Sequence, residues 1–255
     1  MQMKKPFNRR SSAAEWAVTW SVFFTGLLIM SGGIALMIRA NLGASPWDVF
    51  HIGLYKHFGL TIGTWSIIVG LVIILSTCLL TRTWPQAGAL LNMVLVGLFI
   101  DAFLAVIDTP ATLAGRWVML GAGILVNGVG IAFYIAADKG AGPRDTLMLY
   151  LTEVTGWSIA TIRRLLEAGA LVCGWLMGGP VSFGTVVFAL TIGTMVGRFL
   201  PPSRRVVKRL VSYAQGSGGS EHSLALMAER GAVLEDFNQG TIRPHHYDGP
   251  WPPLR

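Results

Sequence analysis

Long, uninterrupted apolar stretches recur along the chain too regularly to be buried in one soluble core. Six of them hold enough residues for a membrane crossing: approximately Trp16 to Ile38, Ile62 to Leu80, Ala87 to Ile107, Trp117 to Ala136, Ser158 to Met177 and Gly184 to Leu200. A helix rises about 1.5 Å per residue, so roughly 20 residues cover a hydrocarbon layer about 30 Å thick. Charged residues make up 13% of the 255 and apolar ones 53%, whereas a soluble domain carries about 25% charged residues. A water-soluble fold is excluded, and an all-α integral membrane protein is expected. The many Gly, Ser and Thr residues inside the stretches read as points where lipid-embedded helices pack closely.

Lys4, Lys5, Arg9 and Arg10 precede the first stretch, which has no small-x-small cleavage pattern after it. It also exceeds the apolar region of a secretory signal, about 7 to 15 residues, and is read as a retained helix with a cytoplasmic amino end. A second basic group, Arg204, Arg205, Lys208 and Arg209, follows the last stretch. The net charge of +7 therefore gathers at membrane edges, where it suits the positive-inside rule and anionic lipid headgroups as partners, not nucleic acid. Cys78 and Cys173 fall within apolar stretches at no disulfide or metal-ligand spacing and read as free thiols.

The apolar part repeats. A displacement of 97 residues carries Ile38, Ala40, Gly43, Ala44, Pro46, Asp48, Leu54, Gly59, Ile62 and Thr64 onto Ile135, Ala137, Gly140, Ala141, Pro143, Asp145, Leu151, Gly156, Ile159 and Thr161 without a gap. Upstream, Gly26, Gly33 and Ile34 land on Gly123, Gly130 and Ile131, and a displacement of 96 brings Gly88, Gly97, Phe103 and Leu104 onto Gly184, Gly193, Phe199 and Leu200. The predicted organisation is a basic tail over 1–14, a membrane domain over 15–200 with halves near 15–107 and 113–200, and a cytoplasmic, largely flexible tail over 201–255.

Within each half a short helix is expected after the shared Gly-Ala-x-Pro-x-Asp. Ser45 serves as its cap, Pro46 opens it, and Asp48 sits in its first turn, where a negative charge suits the helix dipole; Gly142, Pro143 and Asp145 repeat the arrangement. Ending near Gly59 or Gly156, such a helix is about 21 Å long and does not span a bilayer. If it does not cross, the chain has six transmembrane helices plus two half-helices in two inverted repeats, a transporter-like architecture. The alternative is eight crossings with parallel repeats. Six leaves Arg82, Lys139 and Arg144 in inner loops and fits the positive-inside rule better.

The runs Ile38-Arg39-Ala40-Asn41-Leu42-Gly43-Ala44-Ser45-Pro46-Trp47-Asp48-Val49, Leu60-Thr61-Ile62-Gly63-Thr64-Trp65 and Gly140-Ala141-Gly142-Pro143-Arg144-Asp145 resemble the YczE/YitT-type bacterial integral membrane proteins. The resemblance covers about residues 15 to 200 and implies a multi-pass protein of the bacterial inner membrane. It brings no catalytic residue, and the tail after Leu200 lies outside it.

Asp48 and Asp145 are the leading candidate site residues, because a carboxylate inside a membrane is costly and commonly functional. Each can equally serve as the dipole partner of its own helix. Asn41, Ser45 and Asp138 complete a candidate substrate pathway, and exposed amides at two converging helix starts would favour a polar or anionic solute. His51 follows Asp48 by one turn and could form a proton relay, or simply pack, since Met148 takes the matching place. Structural ion pairs are expected between Arg163, Arg164 and Glu167 at helical spacing, and between Asp101 and Arg198. Asn92 and Asn127 read as interhelical hydrogen-bond donors and acceptors. No enzyme motif, metal site or cofactor site is found; the adjacent His245 and His246 make a weak metal pair. Pro201 and Pro202 are expected to stop the last helix, followed by a basic surface segment, a linker at Gly216 to Ser220, a short helix near His222 to Phe237 and a Pro-rich finish. The expected function is transport or facilitated passage of a small polar or anionic solute between the halves, with a non-transporting membrane scaffold as the rival. Self-association into a homo-oligomer is compatible with both.

Overall fold

The computed structural model describes residues 13–140 and 142–215. The features expected at Gly216 to Ser220, His222 to Phe237, and His245 and His246 lie outside the described residues. The regular structure is helical: α1 (Ala13–Ala40), α2 (Pro46–Phe58), α3 (Ile62–Thr81), α4 (Ala87–Val106), α5 (Leu113–Ala136), α6 (Pro143–Thr155), α7 (Ile159–Leu176) and α8 (Phe183–Gln215). No strand occurs among the described residues.

Helices α1, α3, α4, α5 and α8 are long and apolar enough to cross a membrane. The remaining expected crossing forms a helix but does not meet that standard. Helix α7 has 18 residues and includes Arg163, Arg164 and Glu167, and charges near a span's centre cost about 2.5 to 3.5 kcal/mol each for Arg or an acid. Composition therefore supports five crossings where the apolar pattern suggested six.

The centre of the fold is the crossing of α1 and α5. A Cβ added at Gly33 would lie 2.4 Å from the backbone nitrogen of Asn127, one at Gly26 2.5 Å from that of Tyr134, and one at Gly130 2.2 Å from that of Met30. Only glycine allows this approach of backbones. Partner numbers fall along α5 as they rise along α1, so the two helices run antiparallel. Around the crossing Phe23, Leu27, Met37, Ile100 and Leu120 form a fully buried apolar core.

Other close approaches fix the remaining directions. Ser31 on α1 faces the carbonyl of Val96 on α4, and Arg39 Nη2 donates to the Leu104 carbonyl, so α1 and α4 are parallel. Gly63 on α3 meets Gly97 and Asp101, while Gly70 meets Met93, which makes α3 antiparallel to α4. Gly184 lies against Leu120 and Gly128 against Met195, so α8 runs parallel to α5.

Both short helices have 13 residues, about 20 Å of axis. Helix α2 begins at Ser45, whose hydroxyl accepts from the Asp48 amide at 3.2 Å, and ends at Gly59 with φ 74°. Helix α6 begins at Gly142, with Pro143 in its first turn, and ends at Gly156 with φ 71°.

Helix α8 departs from expectation: Pro201 and Pro202 lie inside it and do not stop it. Proline removes an amide donor and crowds the preceding turn, so packing must hold the helix together there. Ser203 and Val207 are buried, Val211 packs against the main core, and Arg205 and Arg209 remain exposed. The segment over 201–215 is thus an amphipathic helical extension against the main core, at odds with a flexible tail beginning at residue 201.

Candidate functional site

Each segment leading into a short helix is docked on the opposite half of the sequence. The Leu42 carbonyl before α2 accepts from the amide of Gly184 at 2.8 Å and from the hydroxyl of Ser182, at the start of α8. Before α6, the Lys139 carbonyl lies against the first turn of α4, where a Cβ on Gly88 would sit 2.0 Å from it. Gly88 and Gly184 are the pair related by the displacement of 96.

Backbone conformation also recurs. Asn41 and Asp138 are left-handed at φ 51° and 52°, followed by Gly43 at φ 111° and Gly140 at φ 127°. Asn and Asp tolerate this region better than other residues with a Cβ. Both side chains are exposed, so Asn41 and Asp138, expected along a pathway, occupy turn positions facing outward.

The buried polar groups at the start of α2 are Ser45, Asp48 and His51. Ser45 Oγ donates to Asp48 Oδ2 and accepts from the Asp48 amide. Asp48 Oδ1 faces His51 Nδ1 at 4.0 Å, beyond hydrogen-bond length. The imidazole is fully buried, and neither ring nitrogen has a hydrogen-bond partner.

Helix α6 supplies the other side. The Arg144 guanidinium lies over the Trp47 ring, 4.7 Å from its centroid, and interacts electrostatically with Asp48, Asp145, Tyr134 and Glu167. Tyr134 Oη, from α5, donates to Asp145 Oδ2 at 2.9 Å. Asn92 on α4 approaches Gly142 at the start of α6. The two helix starts therefore meet through one cation, with a carboxylate from each helix within its field.

Sequence reasoning placed both aspartates here but did not single out Trp47, Tyr134 or the bridging role of Arg144. A signal existed, because Trp47 and Arg144 are one position under the displacement of 97. No local pattern pointed to Tyr134, which reaches Asp145 from the preceding helix.

The other singled-out charges lie elsewhere. Asp101 accepts from the Thr61 hydroxyl and, at 2.8 Å, from the Gly63 amide, so it supports the start of α3 beside its capping residue Thr61. It makes no ion pair with Arg198 among the described residues. The donors at the start of α3 already occupy its oxygens. Arg163 Nε pairs with Glu167 Oε1 at 2.9 Å on an outer face of α7, whereas Arg164 Nε donates to the Ala160 carbonyl at 3.1 Å and is not joined to Glu167. Asn127 Oδ1 is buried without a partner, unlike the interhelical bond expected of it.

A shallow apolar groove between α2 and α7, lined by Trp47, Phe50, Leu165, Leu166, Gly169 and Cys173, runs up to the Trp47 side of the cluster. Both cysteines are free. Among the described residues, no three His, Cys, Asp or Glu side chains gather as a metal site would require. The arrangement suits proton exchange and the holding of a small polar group, since it combines carboxylates, an imidazole, a phenol and a guanidinium beside helix amino ends.

Comparison with known proteins agrees with the membrane fold. A family model described as a family of unknown function (DUF6198) matches residues 17–201. The uncharacterized membrane protein YczE of Bacillus subtilis is 43% identical over 199 residues, covering 78% of this chain and 93% of its own. The uncharacterized protein YyaS of the same organism is 31% identical over 179 residues, 69% of this chain and 89% of its own. An uncharacterized protein of Haemophilus influenzae is 34% identical over 188 residues, 71% of this chain and 83% of its own. No solved structure matches. With five helices long and apolar enough to cross a membrane and a family match over residues 17–201, the chain belongs to the DUF6198 family of YczE-type membrane proteins.

Proposed function

We propose that the chain is a transporter or facilitator for a small polar solute, which it binds where the starts of α2 and α6 meet. The observation that carries this reading is the stacking of Arg144 on Trp47 at 4.7 Å, within the field of Asp48 and Asp145. Ionisable side chains gathered in a membrane domain, here around the buried Asp48 and His51, have no packing advantage over apolar ones, and such groups commonly mark substrate or proton paths. An anionic moiety of the solute would meet Arg144 and the positive ends of the two helix dipoles.

Helix directions support two inverted halves. Helices α1 and α4 are parallel, so α2 and α3 together must bring the chain back; α3, antiparallel to α4, does so, and α2 does not cross. In the second half α5 and α8 are parallel, and α6, about 20 Å long, is too short to return the chain. That leaves α7, about 27 Å long, as a sixth crossing despite its charges. The first helices of the two halves are antiparallel, which supports inverted over parallel repeats. Six crossings put both termini on one side, the cytoplasm of the bacterial inner membrane, where Arg82, Lys139, Arg204, Arg205, Lys208 and Arg209 collect. The contact between Trp47 and Arg144, matched positions of the two halves, is what a site between two such halves would show.

The test is solute flux into vesicles containing the full chain, measured for a panel of small polar and anionic compounds. Asp48→Asn, Asp145→Asn and Arg144→Gln are each expected to lower the flux of a transported compound about tenfold or more, a barrier change of about 1.4 kcal/mol. Flux that is indifferent to all three variants overturns the reading. A membrane scaffold is the second reading, and the uncovered Arg163 and Glu167 pair on α7 favours it as a docking face for another chain.

A further inference from the structure

We propose that the cluster between the starts of α2 and α6 binds one proton, held between the Asp48 carboxylate and the His51 imidazole. The inference deepens the functional reading above by naming a ligand of the same site, and it stands on charge balance and geometry.

The groups that face one another come from four helices. Helix α2 offers Asp48 and His51, helix α6 offers Arg144 and Asp145, helix α5 offers Tyr134, and α7 offers Arg163 and Glu167. Arg163 and Glu167 pair with each other and cancel. Tyr134 is spent as a donor to Asp145. Asn92, which approaches from α4, is neutral. Two carboxylates then face one guanidinium, and the remainder is one uncompensated negative charge in a medium where unpaired charge costs several kcal/mol.

His51 marks where the compensating charge goes. Its ring is fully buried and both nitrogens lack partners, while Nδ1 stands 4.0 Å from the one Asp48 oxygen that Ser45 does not occupy. A buried imidazole without partners loses hydrogen bonds it makes freely in water. Shortening the gap by about 1 Å gives a normal hydrogen bond, and a proton on either atom neutralises the cluster. With the proton on Asp48, the imidazole is neutral; with it on His51, imidazolium and carboxylate pair. A metal cation is a poorer fit, because Ser45 already occupies one of the two Asp48 oxygens and Arg144 repels a second positive charge.

The sign of the consequence follows from linkage. A proton kept by the folded chain stabilises it at low pH, and the stability is lost as pH rises through the affinity of the site. Thermal unfolding of the full chain in lipid nanodiscs, scanned from about pH 5 to about pH 9, is expected to show a melting temperature that falls on the alkaline side. Asp48→Asn, which leaves Asp145 and Arg144 balanced, should abolish that fall. His51→Gln leaves Asp48 as the group that holds the proton, so that the infrared spectrum of this variant is expected to show a protonated-carboxyl carbonyl band that titrates and is missing from the His51→Gln, Asp48→Asn double variant. A flat pH profile in the parent, a fall that persists in Asp48→Asn, or His51→Gln without the band overturns the proposal. So does rescue of alkaline stability by sodium chloride but not by choline chloride, which would assign the site to a metal cation. None of these readouts requires flux, so a failure here and a failure of the transport reading are separable.

Discussion

Asp101 lies well inside α4 yet needs no cation, because the Thr61 hydroxyl and the Gly63 amide converge on it from the start of α3. The free donors of a helix amino end do for this carboxylate what Arg198 was expected to do. Asp101→Ala should therefore leave the Gly63 amide unpaired and cost about 1 to 3 kcal/mol, whereas Arg198→Ala should leave stability within about 0.5 kcal/mol. Melting temperatures of the purified variants check the pair; equal losses would restore the ion pair. Sequence spacing could suggest Ser45 as the cap of α2, since cap and helix lie three residues apart. It could not suggest Asp101 as a partner of the start of α3, because the bonded groups are 38 and 40 residues away and a carboxylate in a span looks the same whether it meets a cation or amides.

Between elements, glycine positions carry the architecture. Gly26 and Gly33 on α1 are the positions that the 97-residue displacement matches to Gly123 and Gly130 on α5, and these glycines meet at the α1 and α5 crossing. Their meaning as close-packing points was legible from composition, and the lengths of α2 and α6 from their caps and terminal glycines. The direction of packing was not, since a glycine signals a near neighbour without saying which one. The prolines of α8 misled for a related reason: their local cost is fixed by backbone chemistry, but the gain from packing Val207 and Val211 against the core depends on the whole fold. Gly33→Leu should collide with the Asn127 backbone, 2.4 Å from where its Cβ would sit. Overpacking costs about 1 to 3 kcal/mol or more when the obstacle is backbone. A marked loss of monodisperse protein in size-exclusion chromatography is expected for Gly33→Leu, and none for Gly121→Leu, whose added Cβ meets nothing within 4 Å.

At the scale of the whole molecule, the proposed inversion of the halves would assign every loop to a side, and that assignment can be read chemically. Lys56 is exposed, and its Nζ donates to the Gly178 carbonyl at 2.7 Å, beside the end of α7 and the start of α8. Glu153, its match under the displacement of 97, is exposed on α6, which follows the opposite end of the α1 and α5 pair. In a chain lacking Cys78 and Cys173, Lys56→Cys is expected to react with a membrane-impermeant thiol reagent from outside the cell and Glu153→Cys only from the cytoplasmic face. Reaction of both from one face would make the halves parallel, and the meeting of Trp47 and Arg144 would then lose its place on a symmetry axis. Opposite labelling would mean that the polar cluster is approached from both faces by structurally matched segments, as alternating access to one central site requires. The close docking of those segments on α4 and α8 would then be the contact that must open for a solute to enter.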